Sequence, residues 1–240
     1  MKAMIFAAGK GTRLKPITNT IPKALVKVNG IPMLQRVIQK LIQSGVDEII
    51  INVHHFANQI IEFLKENGHF GIRIEISHEE DELLDTGGGL KKASWFFKDK
   101  KPFILHNVDI LSDIDLAKML KYHQQTKALA TLAVRERESS RYFLFNHHNR
   151  LCGWQNVKTG EITNHHPSHK IKNLAFSGIH IINPEILDYW PGLSKFSIVK
   201  TYLDLSQNHP IVAFPHNQDY WFDMGKPDNL KKAEAFFNNP

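Results

Sequence analysis

The chain has 240 residues, of which 42% are hydrophobic, enough for a sizeable core. The single cysteine, Cys152, excludes an intramolecular disulfide framework, and no apolar run approaches the roughly 18 residues of a membrane span. Thirty Lys and Arg residues against 24 Asp and Glu give a net charge of +6, but the basic residues are scattered, so we expect neither a nucleic-acid nor a membrane partner.

The predicted elements of the first half alternate between strand and helix. AMIFAAG, residues 3–9, reads as a buried strand. Because this apolar run ends at once in a glycine loop, it does not resemble a signal peptide, and we expect a cytoplasmic protein. Residues 32–45 have apolar side chains at helical spacing, with Pro32 suited to the first turn and Gly45 to the end. The other elements predicted here are strands at 48–53, 72–77 and 102–110, and helices near 58–67, from about Gly88, and at 113–125.

The second half has a different pattern, in which short strands are joined by polar loops. Its predicted strands are 128–134, 141–145, 150–154 and 175–182, and its predicted helices are 184–190, 197–206 and 227–237. The alternating half indicates a mostly parallel sheet covered on both faces, and the second half an added mixed β region. We therefore predict a single α/β domain, residues 1–240, with a Rossmann-like, doubly wound, mostly parallel central sheet that binds ligands at the carboxyl ends of its strands.

The loop after the first strand, FAAGKGTRLKPITNTIPKALV, combines several groups suited to phosphate. Gly9 and Gly11 let backbone N–H groups approach an anion closely, Arg13 offers a planar fork of donors, and Lys23 adds a second charge. The loop is neither a P-loop nor a dinucleotide-binding motif, because the glycine spacing fits neither. Its two prolines disfavour a continuous helix, so we predict an irregular phosphate-binding loop, with a solvated surface loop as the alternative.

This loop resembles the signature of the sugar-1-phosphate nucleotidyltransferases, G-x-G-T-R-x-x-P-x-T followed by P-K. The segments DTGGGLKKA (85–93), HNVDI (106–110), FSGIHII (176–182) and YWFDMGKPDNL (220–230) stand in the order typical of that family. The chain is most similar to compact uridylyltransferases that act on N-acetylmuramate 1-phosphate in cell-wall recycling. The resemblance implies the nucleotidyltransferase fold and a reaction that joins UTP or GTP to a sugar 1-phosphate, with release of pyrophosphate.

The resemblance also implies roles for individual residues. Asp109 and Asp223 match the carboxylates that hold Mg²⁺ against the phosphates, an ion that prefers carboxylate, phosphate and water oxygens. Arg13 would engage the β- and γ-phosphates, and Lys23 would act as a point charge at the reacting centre. Without the resemblance, Asp109 would be interpreted as a turn or helix-cap residue. The implied nucleotide contacts are Ala8, Gly9, Gly11, Thr12, Arg13, Asp85, Thr86, Gly87 and Gly88, and the implied sugar contacts are Gly178 and Trp221.

Several positions leave alternatives open. Val108 stands where the family has a glycine, and Asp85 stands where many relatives place a glycine near the base. A carboxylate at Asp85 can accept from guanine or from uracil, so the base is open, and the acidic run beside it, HEEDE, can be a solvated loop. Gly178 can instead mark a tight strand crossing, and Trp221 can be a core residue.

Two other functions are compatible with the same motifs. The acceptor could be phosphocholine, as in related cytidylyltransferases, or the chain could be a nucleotide-sensing subunit without catalysis. His54, His147, His165 and His169 fit no standard zinc spacing, and no cysteine accompanies them, so we do not expect a structural zinc site. The oligomeric state cannot be read from the pattern, because a helix facing a partner looks like one facing its own core.

Overall fold

The computed structural model describes residues 1–164 and 170–238. The strands of the first half are Lys2–Phe6 (β1), Lys27–Val28 (β2), Ile31–Pro32 (β3), Glu48–Val53 (β4), Arg73–His78 (β5), Phe103–Asn107 (β6) and Ile110–Ser112 (β7). Those of the second half are Ala130–Arg135 (β8), Arg141–Phe145 (β9), Leu151–Asn156 (β10), Glu161–Asn164 (β11), Lys172–Ile182 (β12), Ile211–Pro215 (β13) and Trp221–Asp223 (β14). The α-helices are Met33–Gln43 (α1), Ala57–Glu66 (α2), Asp85–Ala93 (α3), Leu116–Thr126 (α4), Ile198–Leu205 (α5) and Pro227–Asn238 (α6).

The first half of the chain builds the parallel part of the sheet. β5, β4, β1 and β6 lie side by side in that order, and each neighbouring pair is parallel. The chain therefore moves outwards from β1 to β5 and then returns to the other side of β1 with β6. In doubly wound sheets, ligands bind outside the carboxyl ends of the strands where this direction reverses. The loops that follow β1 and β6 lie at that point.

The second half extends the same sheet with antiparallel strands. β12 pairs antiparallel with β6 on one side, and on the other side with β9 and then with β8 along its length. β10 and β11 continue beyond β9, and β13 runs parallel to β8. The predicted α/β class, with a mostly parallel centre and an added mixed β region, is confirmed.

The sheet is covered by helices on both faces because successive strand residues point to opposite sides. In β1, Ala3 and Ile5 pack in the core that α1, α2, α4 and α6 cover, whereas Met4 packs in the core under α3 and α5. The apolar stripe predicted for residues 32–45 is buried in α1, including the fully buried Leu34. Over the described residues, no helix is both long enough and apolar enough to cross a lipid bilayer.

The largest difference from the predicted elements lies at residues 102–110. The predicted strand ends at Asn107, a turn carries Val108 and Asp109, and the chain resumes as β7. β7 leaves the main sheet and pairs with β14 instead. The break places Asp109 in a turn at the carboxyl edge of the sheet, one residue before the end of what sequence pattern alone reads as one apolar strand.

Candidate active site

A cavity of about 180 Å³ lies at the carboxyl ends of β1 and β6. It is half-enclosed by the loop after β1, the turn after β6 and the first residues of α3. The residues that the sequence singled out and that line it are Ala8, Gly9, Lys23, Asp85, Thr86, Val108 and Asp109. The phosphate-suited loop and the first predicted metal ligand therefore share one cavity.

The loop after β1 folds back on itself through short 3-10 turns at 12–14, 17–19 and 23–25, which agrees with the predicted absence of a continuous helix. Gly11 is at the crossing point, with φ of +64°, a conformation that side chains disfavour. A Cβ atom there would lie 2.9 Å from Thr18 Cγ2 and 3.0 Å from Lys23 Cβ. The Gly11 carbonyl oxygen accepts from the Thr18 hydroxyl at 2.8 Å. Glycine at this position therefore lets the loop close and bring Lys23 to the cavity.

Lys23 and Asp109 form an ion pair inside the cavity. The Lys23 Nζ donates to Asp109 Oδ2, and their side chains are 11% and 18% exposed. A pair with this little exposure is screened less by water and salt than a surface pair. The predicted lysine and the first predicted carboxylate thus meet, although they belong to different loops.

The pairing of β14 with β7 places the second carboxylate, Asp223, next to the turn that carries Asp109. Asp223 stands opposite Ile110 in the antiparallel β7–β14 pair, and the Met224 N–H donates to the Asp109 carbonyl oxygen at 2.8 Å. A Cβ atom built on Gly225 would lie 2.6 Å from Arg13 Nη2 and 2.8 Å from Asp223 Oδ1. Arg13 and Asp223 therefore approach Gly225 together, beside the turn that carries Asp109, although neither lines the cavity itself.

The two carboxylates suit a hard divalent cation. Asp109 Oδ1 and Asp223 Oδ2 have no hydrogen-bond partner among the residues that the structure describes, whereas Asp223 Oδ1 accepts from the Gly225 N–H at 2.8 Å. Magnesium usually takes one or two protein carboxylates and completes its shell with phosphate and water. Within residues 1–164 and 170–238, no group of three or more His, Cys, Asp or Glu side chains is placed to hold a metal by itself.

Other residues of the predicted loop lie at the rim. Thr12 and Arg13 are exposed and belong to the 3-10 turn just outside the cavity. Gly11 also stays outside the lining, since its role is the turn that closes the loop. In the part of the chain that the structure describes, Ala8 and Gly9 are the members of the predicted nucleotide set from this loop that line the cavity itself.

The first residues of α3 form the opposite wall. Asp85 is exposed, has φ of +62°, and accepts from the Thr86 N–H at 2.6 Å. The Thr86 hydroxyl oxygen accepts from the Ile198 N–H at 3.1 Å, which fixes this end of α3 against α5. The Asp85 carboxylate is thus held at the cavity mouth by a local hydrogen bond.

The prediction that Gly87 and Gly88 contact the nucleotide needs a correction. Both are buried, and both N–H groups donate to the Phe196 carbonyl oxygen, at 2.9 and 3.2 Å. A Cβ atom would lie 2.3 Å from Phe196 Cε2 at Gly87 and 2.2 Å from the Ser194 carbonyl oxygen at Gly88. These glycines let the 194–196 segment pack behind α3 and do not line the cavity.

The cavity floor is lined by two residues that were not indicated by the sequence. Asn52 and Glu79 are 3% and 1% exposed, and the Asn52 Nδ2 donates to Glu79 Oε1 at 2.7 Å. Glu79 belongs to the acidic run interpreted as a solvated loop, so that interpretation is wrong for this glutamate. The sequence signal was weak: Asn52 is a polar residue near the end of the apolar run EIIINV.

The residues predicted to contact the sugar lie beside Asp223. Gly178 has φ of +76°, and a Cβ atom there would lie 2.8 Å from both Asn107 Nδ2 and Ile110 Cγ1, which is a tight crossing of β12 over the active-site turn. The half-buried Trp221 donates its indole N–H to the Ser177 carbonyl oxygen at 3.0 Å. Its side chain shares a strand face with Asp223, since the two are two residues apart in β14.

Arg137 is a further charged residue near this wall. Its guanidinium carbon lies 4.3 Å from the Trp221 ring centroid, and its Nη2 donates to the Phe176 carbonyl oxygen at 3.0 Å. Burial lowers the pKa of Arg137, and the negative charge of Asp223 opposes that shift. The charge of Asp223 is therefore balanced from this side as well.

Two of the histidines considered for zinc, His54 and His147, lie in different parts of the described structure. His54 Nδ1 lies 2.6 Å from the Glu79 carbonyl oxygen, and His147 is exposed on the turn between β9 and β10. His165 and His169 lie outside the described residues.

Comparison with known proteins identifies the family. The family model described as nucleotidyl transferase matches residues 2–239. The chain belongs to the nucleotidyl transferase family.

The chain has curated relatives whose names specify different nucleotides. It is 31% identical to a UTP–glucose-1-phosphate uridylyltransferase from Synechocystis sp., over 95% of this chain and 61% of the relative. It is 32% identical to a mannose-1-phosphate guanyltransferase from Yarrowia lipolytica, over 99% of this chain and 64% of the relative. The chain therefore spans less than two thirds of the length of these relatives.

Solved structures agree with the nucleotidyl transferase fold over nearly the whole chain. HddC from Yersinia pseudotuberculosis, complexed with GMP-PN, superposes with a TM-score of 0.77 at 25% identity, covering 98% of this chain and 99% of that one. A UDP-glucose pyrophosphorylase complexed with UDP-glucose has a TM-score of 0.77 at 18% identity, covering 100% and 99%, and supports the fold alone. The closer likeness to N-acetylmuramate 1-phosphate uridylyltransferases stays a prediction.

Proposed function

We propose that the protein joins UTP or GTP to a sugar 1-phosphate, giving an NDP-sugar and pyrophosphate. The observation that carries the proposal is the convergence of Lys23, Asp109, Asp223 and Arg13 from separate segments at the carboxyl edge of the sheet. Relatives that use UTP and relatives that use GTP both support this substrate class. We also propose that residues 1–240 form one domain and that the protein is cytoplasmic.

In the reaction, an oxygen of the sugar phosphate attacks the α-phosphorus of the nucleoside triphosphate. A new oxygen–phosphorus bond forms, the bond from the α-phosphorus to the bridging oxygen breaks, and pyrophosphate leaves with the electron pair. No covalent bond to the protein is needed, so catalysis rests on positioning and on stabilising negative charge. Lys23 would supply a fixed positive charge at the reacting phosphate, and Arg13 would hold the outer phosphates.

Asp109 and Asp223 would hold Mg²⁺, which neutralises charge on phosphate oxygens when bound. One oxygen of each carboxylate accepts no hydrogen bond from the described residues and so suits such an ion, and Lys23 orients the Asp109 carboxylate. The main chain of Ala8 and Gly9 would approach the nucleotide from one side, and Asp85 from the other. The wall of the sugar site next to Asp223 would be formed by Trp221 and Gly178.

The alternative functions have less support. A nucleotide sensor without catalysis has no need for Lys23 and Asp109 paired inside the cavity with Asp223 on the strand beside them. No observation on the described residues favours phosphocholine over a sugar 1-phosphate. The exposed Asp85 carboxylate is the feature that bears on the base, and it can accept from uracil or from guanine.

The test is pyrophosphate release measured over a matrix of nucleoside triphosphates and sugar 1-phosphates with Mg²⁺, with phosphocholine as one further acceptor. We expect turnover with UTP or GTP and at least one sugar 1-phosphate, and its loss in D109N. D204N is the matched control, because Asp204 is an exposed residue of α5 that pairs with Lys200 and does not line the cavity. Absence of turnover for every pair, or equal turnover in D109N, would overturn the proposal.

A further inference from the structure

A continuous chain of hydrogen bonds crosses the floor of the cavity. The Ala7 N–H donates to Asn52 Oδ1 at 2.8 Å, the Asn52 Nδ2 donates to Glu79 Oε1 at 2.7 Å, and the Leu84 N–H donates to Glu79 Oε2 at 2.8 Å. Each polar atom of the two side chains in this chain has a partner of the right kind. The chain starts on one wall of the cavity and ends on the other.

The ends of this chain lie next to the residues proposed to meet the nucleotide. Ala7 immediately precedes Ala8 and Gly9 on the phosphate side, and Leu84 immediately precedes Asp85 on the opposite side. Between these ends the sheet supplies the support, because Asn52 is part of β4. A single pair of side chains on the sheet therefore links the two walls by hydrogen bonds.

Burial and hydrogen bonds hold the Asn52–Glu79 pair in place. Its side chains are nearly inaccessible, and a buried carboxylate is costly unless its oxygens are hydrogen-bonded. The backbone of Glu79 is also fixed, since its N–H donates to the Val53 carbonyl oxygen at 2.8 Å and its carbonyl oxygen contacts His54 Nδ1 at 2.6 Å. A Cβ atom on Gly89 would lie 2.8 Å from Glu79 Oε1 and 2.9 Å from Asn52 Nδ2, so glycine leaves the space that the pair fills.

We propose that Asn52 and Glu79 are positioning residues. They hold the loop that begins at Ala7, on the phosphate side, and the segment of Leu84 and Asp85, on the base side, at the separation that a nucleoside triphosphate requires. This inference rests on the proposed function in taking the cavity as the nucleotide site. The pair acts through backbone groups, and both of its carboxylate oxygens already have protein partners. Its removal weakens nucleotide binding because the walls must then be ordered when the ligand binds.

The amide and the carboxylate can be exchanged, which gives a sharp test. In N52D, two carboxylates face each other; in E79Q, an amide must replace a carboxylate that accepts from both Asn52 and Leu84. In N52D/E79Q, the new carboxylate at position 52 accepts from the Ala7 N–H and from the new amide at position 79. The oxygen of that amide in turn accepts from the Leu84 N–H. The double variant therefore restores every hydrogen bond with the same number of side-chain atoms.

The measurement is the dissociation constant of UTP and of GTP, by calorimetry with Mg²⁺ and without acceptor, at a temperature where each variant is folded. We expect each single variant to bind the preferred nucleotide about tenfold more weakly or worse, and the double variant to return to within about threefold of the unchanged protein. N67D is the matched control, because Asn67 is an exposed residue at the end of α2 whose side-chain amide donates to the Phe63 carbonyl oxygen, and it should leave both dissociation constants unchanged.

A purely structural pair gives a different result. If the single variants lose thermal stability but bind nucleotide as tightly as the unchanged protein, or if the double variant regains stability without regaining affinity, the proposal is overturned. It is also overturned if the unchanged protein binds neither nucleotide. Binding that follows the expected pattern without any turnover in the substrate matrix would support the positioning pair and reject the proposed reaction, so the two failures are distinguishable.

Discussion

Asp223 stands opposite Ile110 in the β7–β14 pair, and the backbone hydrogen bond from Met224 to Asp109 fixes the two aspartates beside each other. β7 can reach β14 only because the chain breaks away from β6 at the turn that carries Asp109. The break that interrupts the strand therefore places Asp109 in a turn at the edge of the sheet and lets β7 pair with the strand that carries Asp223. Lys23 adds its charge to this pair from the loop after β1.

Replacing either aspartate should abolish turnover without unfolding the protein. In D109N and D223N, the carboxylate that would face the metal becomes a neutral amide of the same size. We expect kcat to fall by about 10²–10³ or more, the scale of losing one preorganised electrostatic group. The measurement is pyrophosphate release at saturating nucleotide with increasing Mg²⁺. A variant that keeps the original kcat and Mg²⁺ dependence contradicts this role.

Replacing Lys23 should affect chemistry more than folding. In K23Q, the partly buried Asp109 loses its ion pair, and the reacting phosphate loses a fixed charge. We expect kcat to fall by about 10²-fold or more while the thermal midpoint changes by only a few degrees. K27Q is the matched control, because Lys27 is an exposed lysine of the same loop region. Equal losses in both variants would show that the effect is one of general surface charge.

The fold was predictable from sequence where the pattern is local. The alternation of apolar strands and amphipathic helices up to Lys127 determines the parallel half, because each element carries its own periodicity. The short strands β2, β3, β11, β13 and β14 were not predicted. β14 shows why: the three residues WFD have no period of their own and become a strand only because β7 is there to pair with them.

The candidate site was predictable where residue chemistry or a motif indicates it. Arg13 and Lys23 were indicated by the phosphate-suited loop, and the two aspartates by the family signature; the structure pairs Lys23 with Asp109 and brings Arg13 and Asp223 to Gly225. The Asn52–Glu79 pair was missed because the two are far apart in sequence and an acidic residue in the run HEEDE resembles a solvated one. Gly87 and Gly88 were assigned to the nucleotide because sequence cannot tell a glycine that meets a ligand from one that meets Phe196.

Gly178 should tolerate a side chain poorly. In G178A, the new Cβ would lie 2.8 Å from Asn107 Nδ2 and Ile110 Cγ1 in a backbone conformation with φ of +76°. We expect the free energy of unfolding to fall by about 2–4 kcal/mol, from backbone strain together with crowding in the core. The change is measured by urea denaturation followed by circular dichroism.

The matched control for this crowding is G160A. Gly160 has nearly the same φ, +74°, but a Cβ atom placed on it would have no neighbour within 4 Å among the described residues. Its substitution should cost only the strain of the left-handed conformation, about 1 kcal/mol. If the two variants lose the same stability, backbone conformation alone explains the glycine, and contact with Asn107 and Ile110 has no part in it.

Buried histidines should make the protein sensitive to mild acid. Burial lowers the pKa of His106, His123 and His216 to about 4, and that of His180 to about 3, from 6.5. Below pH 6.5 the unfolded chain therefore binds more protons than the folded one. The contribution of these histidines to the free energy of unfolding is fully present above pH 6.5 and decreases as the pH falls towards 4. Each such histidine contributes a slope of up to about 1.4 kcal/mol per pH unit within that window.

His123 allows this dependence to be assigned to one residue. Its ring Nδ1 lies 2.9 Å from the Thr131 hydroxyl in the core between α4 and β8, away from the charged groups of the cavity. We expect H123Q to lower the free energy of unfolding at pH 7.5 and to reduce its slope between pH 6.5 and 4, because one group that protonates on unfolding is gone. Urea denaturation at several pH values, from about 7.5 downwards, measures both quantities. H147Q, which replaces an exposed histidine, is the matched control. An unaltered slope in H123Q would mean that His123 is protonated equally in the folded and unfolded chains, and that burial does not hold it neutral.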